Sequence, residues 1–200
     1  LAFPSPADAC AFSAELHRRG LSLRALHLLN LAAAPAARVA EEGLCSLVVD
    51  LSGSSQAVER SQCEIEELAR SAAVRLTEID DGYAAWQGIC RADSPAGRGL
   101  LCKAATLPTS LPSLMDAFER EQEGPPSLLA LPTVGVLYAS WPTLDDAEEL
   151  VRRLRSLTSG NGRIEHAASS VAVAPAATRL KVPERLKADR TAAVRPRPFP

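Results

Sequence analysis

Between residues 44 and 79 the spacing of apolar positions changes twice. Leu44–Leu51 (LCSLVVDL) is an almost unbroken apolar run closed by Ser52-Gly53. Ile65, Leu68, Ala69 and Ala72 then recur at intervals of three and four, the stripe of an amphipathic helix that starts near Ser55. Val74–Ile79 (VRLTEI) alternates apolar and polar residues, as a half-buried strand does. Upstream, Leu1–Phe3 predicts a short strand. Ser5-Pro6-Ala7-Asp8 is a helix start: a Ser cap, Pro at the first helical position and an acid three residues after the cap. Phe12 and Leu16 share one face of that helix, Gly20 stops it, and Leu21–Leu29 is a second apolar run ending at Asn30. The order through residues 1–80 is β-α-β-β-α-β.

The same order returns through residues 99–170. Gly99–Leu107 opens it, and Leu111, Leu114, Met115 and Phe118 mark one face of a short helix. Ser127–Leu131 and Val134–Trp141 predict a hairpin with Pro132-Thr133 at or near its turn. Thr143-Leu144-Asp145-Asp146 repeats the capping pattern, and Leu150, Val151, Leu154 and Leu157 sustain an apolar face with Leu144. Gly160-Asn161-Gly162 ends that helix, and Arg163–Ser170 is the closing strand. The doubled order predicts an α+β fold of two ferredoxin-like (split β-α-β) modules, an antiparallel sheet with helices on one face. The competing reading is a generic α+β domain without duplication. The modules are 1–80 and 99–170, joined by a linker, 81–98, with a short helix around Tyr83–Ile89. Each is small for an independent core, so the two sheets are expected to pack together or run on as one.

Composition narrows the function classes. The net charge of −2 offers no general attraction to nucleic acid or anionic membrane. Aromatic residues make up 4% of the chain and the strand centres are aliphatic, which argues against an RNA-stacking sheet. No apolar run is long enough to span a bilayer and no signal-peptide pattern is present, so a cytoplasmic location is expected. The chain starts with Leu and goes straight into a strand, which reads as a segment of a longer or processed polypeptide. Residues 171–200 hold five prolines, seven bases and two acids. They read as an extended arm, basic enough to dock on a partner but more simply a solvated tail, with room for a short helix around Pro183–Asp189.

Familiar catalytic motifs are missing. No GxGxxG, GxxxxGK[ST] or GxSxG is present; Leu51-Ser52-Gly53-Ser54-Ser55 fails the last spacing. His17, His27 and His166 are far apart, so no metal site is expected. His17 reads as exposed at a helix end. His27 and His166 sit in strands, where either could face a cleft, though a satisfied structural histidine is the simpler reading. Cys10, Cys45, Cys63, Cys90 and Cys102 show no CxxC spacing and read as small buried hydrophobes in a reducing compartment.

Several segments resemble a known family. Leu44–Ala72 (LCSLVVDLSGSSQAVERSQCEIEELARSA) is similar to the C-terminal cap domain of FAD-linked oxidases of the vanillyl-alcohol oxidase type: an apolar strand, an acid-x-Gly-Ser-like turn, then a helix of the form AVxxxxxxxxEL. Leu1–Asn30 resembles the family's opening, with its strand ending LxLLN. Ala85-Trp86 and Leu107-Pro108-Thr109-Ser110-Leu111-Pro112 resemble its W-x-x-L/I segment and its VPxSxLP strand-to-helix junction. The wording is most similar to the FAD-binding subunit of bacterial glycolate oxidase, and the resemblance covers about residues 1–166. Three features depart from the family. Its HxGDGN-type stretch is absent, Thr109 stands where many members have Arg, and Lys187–Pro200 does not reproduce the usual closing segment.

The resemblance implies the substrate-side cap of an FAD-dependent oxidoreductase acting on a small 2-hydroxy acid of the glycolate or D-lactate type. FAD would be held mainly by an N-terminal domain outside this chain, so the segment alone would be inactive and supply no catalytic residue. Its partners would be that domain, other subunits of a glycolate-oxidase-like complex, which could place it at the inner membrane's surface, and the acid itself. If the cap touches substrate, the candidate residues are Lys103, Thr106, Thr109 and Ser110. A helix start there presents unpaired N–H groups, hydroxyl donors and a nearby cation to a carboxylate. The simpler reading is that Thr109 or Ser110 caps its own helix, and without Arg at 109 the grip lacks a bidentate partner. The alternative function is a non-catalytic metabolite-binding or assembly module.

Overall fold

Ser5 opens the first helix as its sequence predicts. The Asp8 N–H donates to the Ser5 hydroxyl oxygen at 3.1 Å, and that hydroxyl donates to the Asp8 carboxylate at 2.6 Å. The computed structural model describes residues 1–35, 37–39, 45–92, 100–121, 124–142, 147–157 and 163–168. The Thr143–Asp146 cap, the Gly160–Gly162 stop and the 171–200 tail with its Pro183–Asp189 helix lie outside these residues. In chain order the elements are β1 (Ala2–Phe3), α1 (Pro6–Arg18), β2 (Leu23–Asn30), β3 (Cys45–Leu51), α2 (Ser55–Ser71), α3 (Gly82–Ala92), β4 (Leu100–Ala105), a 3₁₀ turn (Pro108–Ser110), α4 (Leu111–Glu119), β5 (Ser127–Leu131), β6 (Val136–Trp141), α5 (Ala147–Leu157) and β7 (Arg163–Ala168).

The fold is α+β, built on one antiparallel sheet of seven strands in the order β1-β3-β2-β5-β6-β4-β7. An isolated bridge, Ala2↔Arg75, adds one residue pair beyond β1. Counting that bridge, the first half runs across the sheet as fourth, first, third, second strand. The second half runs second, third, first, fourth. The halves meet edge to edge where Leu28 and Leu29 of β2 pair with Ala130 and Leu129 of β5. Asn30 fastens this join. Its side-chain amide donates to the Pro126 carbonyl at 2.8 Å and accepts from the Leu128 N–H at 2.9 Å and the Ala33 N–H at 3.1 Å.

Four helices cover one face. Phe12 and Leu16 of α1, Ile65 of α2, Leu114 and Phe118 of α4, and Leu150 and Leu154 of α5 are buried in a single core with the inward residues of six strands; Leu68 packs half-buried at its edge. The expectation of helices on one face needs one correction. The linker helix α3 lies on the opposite face, where Ile89 joins Leu29, Val48, Leu129, Ala33 and Ala37 in a second, smaller core. Its N-terminus is capped by Asp81, whose side chain accepts from the Ala84 N–H at 2.9 Å. Strands β2 and β3 are thus buried on both faces, which explains their near-continuous apolar sequence.

A second correction concerns Val74–Ile79. Its alternation predicts a strand, but Arg75 alone bridges to β1, and 76–79 belong to no strand and have no ladder partner among the described residues. A strand forms only where another edge can satisfy its N–H and C=O groups, and two-residue β1 offers almost no edge.

Candidate functional site

The sheet face away from the four-helix layer holds the polar chemistry. His27 lies on this face of β2, buried, and meets Trp86 of α3 edge-on with ring centroids 5.5 Å apart. Its Nδ1 has no hydrogen-bond partner among the described residues, against the expectation of a satisfied structural histidine. Burial pushes the imidazole below the usual histidine range, and the Asp50 carboxylate pulls the other way by a smaller amount. Asp50 itself takes the Arg24 guanidinium, Nε to Oδ2 at 2.6 Å. Arg24 is largely exposed, so this pair orders the site more than it stabilises the fold.

These residues line a cavity of about 750 Å³ beside β3. Asp50, Glu78, Asp80 and Asp81 on its walls are nearly balanced by Arg24, Arg38 and Arg75. The balance gives no strong pull on an anion. A neutral imidazole with an open ring nitrogen can accept or donate one proton there. Among the described residues no group of three or more His, Cys, Asp or Glu side chains could hold a metal ion.

His27 should make stability depend on pH. Its pKa is lower in the folded chain than the unfolded value of about 6.5, so below that pH the unfolded chain binds more protons. Its contribution is complete above about pH 6.5 and falls as the pH drops, by at most about 1.4 kcal/mol per pH unit. Urea unfolding between pH 7.5 and 5 should show this fall, and His27→Gln should remove much of it. Parallel curves for the two proteins would refute the assignment.

The residues expected to hold substrate do not converge. Lys103 sits mid-strand in β4, in register with Tyr138 of β6 and Glu165 of β7. Its neighbours Cys102 and Ala104 point into the helix-side core, so Lys103 belongs to the opposite face. Thr106, Thr109 and Ser110 lie together in the junction that leads into α4 on the helix side. Thr106 N–H donates to the Gly135 carbonyl at 2.8 Å. Thr109 is exposed and Ser110 half-buried, and the starts of the 3₁₀ turn and of α4 carry no side-chain cap bond. The helix-cap reading of Thr109 and Ser110 therefore does not describe this junction. His27, Asp50 and Trp86 form a group that sequence reasoning misses. Its one signal is a polar residue, His27, inside the apolar run LRALHLLN.

The cysteines divide in two. Burial raises the thiols of Cys10 to about 11, Cys45 to about 12 and Cys102 to about 11. Cys63 and Cys90 are exposed, against the expectation of burial. A disulfide-exchange reagent at neutral pH should label Cys63 and Cys90 quickly and the other three only after denaturant is added. Mass mapping of the labelled peptides checks this, and rapid native labelling of Cys45 or Cys102 would contradict it.

No protein-family model matches this sequence, and no curated protein is detectably similar to it. No helix among the described residues is long and apolar enough to cross a membrane.

Proposed function

We propose that this chain is the substrate-side cap of an FAD-dependent oxidoreductase acting on a small 2-hydroxy acid of the glycolate or D-lactate type, with FAD held mainly by a separate N-terminal domain. The observation that carries the reading is the unequal cover of the sheet. Four helices bury one face, while among the described residues α3 covers the other chiefly over β2, β3 and β5, with Tyr138 of β6 packed at the edge of that core and Lys103 of β4 half-buried beside it. Such a face suits one wall of a site completed by another domain. The matching strand orders of the two halves support the reading as duplicated ferredoxin-like modules. No Gly-rich phosphate loop is present, so the residues fit one wall and not a whole dinucleotide site.

When bound, FAD would supply the electron acceptor. The chain's part is binding: Lys103 offers a cation to the substrate carboxylate, and the Tyr138 hydroxyl a donor beside it. The cap excludes water from that side of the reaction.

The isolated chain should purify without flavin. A longer polypeptide joining it to a flavin-binding domain should carry stoichiometric flavin that glycolate or D-lactate bleaches anaerobically. In that protein Lys103→Ala should raise KM about tenfold or more with a smaller change in kcat. Stoichiometric flavin on the isolated chain, or none on the longer one, would overturn the reading. A small metabolite bound tightly without flavin would favour the non-catalytic module.

A further inference from the structure

We propose that the groove between the outer edge of β3 and residues 75–79 is a strand site, filled by an extended backbone segment that runs directly into Leu1. The groove is the cavity described above, and its walls suit a strand better than a small molecule. Leu47, Val49, Leu51 and Ile65 line it on the helix side, and Val48 and Trp86 on the other. A strand inserted between two edges places alternate side chains in both layers.

The hydrogen-bond ladder already points into the gap. Leu1 pairs with Leu47 in both directions: the terminal ammonium donates to the Leu47 carbonyl at 3.1 Å, and the Leu47 N–H donates to the Leu1 carbonyl at 2.8 Å. By the two-residue alternation of an antiparallel ladder, the Val49 N–H and C=O face the same way, beyond the first atom of β1. On the far side, the Ala2 N–H donates to the Arg75 carbonyl at 3.1 Å, and the residues that follow, 76–79, line the cavity without belonging to a helix or strand. The registers Ala2↔Ser46 and Ala2↔Arg75 agree on where an added strand would lie. The first residue upstream of Leu1 would sit between Val48 and Thr77, the second between Val49 and Glu78, the third between Asp50 and Ile79.

The occupant has a pattern. Phe3 is buried in the helix-side core and Leu1 packs against it, so the second upstream residue should be apolar, meeting Val49 and Ile65. The third, beside Asp50 and Arg24, should be polar. Once such a strand is present, 76–79 gain the edge that their alternating sequence requires.

The test compares the chain with two versions carrying four extra residues before Leu1: Lys-Thr-Val-Thr, and Lys-Thr-Pro-Thr. Proline at the second upstream position removes the N–H that would meet the Val49 carbonyl. Amide hydrogen exchange is followed residue by residue. With the valine extension, Val49 and Thr77 should exchange at least about tenfold more slowly than in the unextended chain, and the proline version should lose most of that protection. Unchanged exchange at both amides would overturn the proposal, as would equal protection by the proline version. Protection in the unextended chain that grows with protein concentration would assign the groove to a second copy instead and overturn it too.

Discussion

Asn30→Ala is expected to lower the unfolding free energy by about 3–5 kcal/mol. The side chain is buried. Its amide donates to the Pro126 carbonyl and its oxygen accepts from the Leu128 N–H, so it bridges the only ladder, β2 to β5, that holds the two halves together among the described residues. Alanine would leave the Leu128 N–H and the Pro126 carbonyl buried and without these partners, at about 1–3 kcal/mol each, and would also leave a small void. The Ala33 N–H suffers less, because it also bonds to the Asn30 main-chain carbonyl. Ser127→Ala is the natural comparison. It removes one exposed hydroxyl bond, to the Ala32 carbonyl, at the same join, and should cost under about 1 kcal/mol. Urea denaturation of the three proteins decides the matter. A loss below about 1 kcal/mol for Asn30→Ala would mean that the join does not depend on this amide.

Much of the architecture is legible in the sequence because it rests on local rules. The Ser5 cap, the helical stripe through Ile65 and the hairpin from Ser127 to Trp141 each need only neighbouring residues to be recognised. What cannot be read depends on pairing at a distance. The strand predicted at Val74–Ile79 has the right alternation, yet a ladder needs a second edge, and β1 provides one residue of it. The docking of α3 is hidden for a related reason. In a strand buried on both faces the two-residue period disappears, so LHLLN and CSLVVD signal deep burial without saying what covers the second face. His27 belongs to that hidden face, and only the arrival of Trp86 from the linker makes it part of a site.

The expected substrate residues fail to converge for a reason the sequence does contain. Along β4 the alternation places Leu100, Cys102 and Ala104 toward the helices, so Lys103 must face away from the junction that follows. The β4–β6 register then sets Lys103 beside Tyr138, the pairing on which the proposed cap surface rests.

Gly135→Ala should be about as damaging as the loss of Asn30, at roughly 3–5 kcal/mol, by a different mechanism. Gly135 ends the β5–β6 turn with φ of +73°, in the left-handed region that costs an alanine about 1–2 kcal/mol. Its Cα also lies against the backbone leaving β4: an added Cβ would fall inside contact distance of the Thr106 carbonyl oxygen and 3.0 Å from the Pro108 nitrogen. Those atoms are main chain and cannot swing aside. The turn would have to move off the junction, weakening the 2.8 Å bond from the Thr106 N–H to the Gly135 carbonyl. Overpacking of this kind typically adds about 1–3 kcal/mol, and the lost bond about 1 more. Gly20→Ala separates the two contributions, because Gly20 has a similar φ of +64° but no atom within 4 Å of where an alanine methyl would sit. Gly20→Ala should therefore cost only the backbone part. If denaturant unfolding gives equal losses for the two variants, the close approach of the turn to the β4–α4 junction contributes nothing to stability.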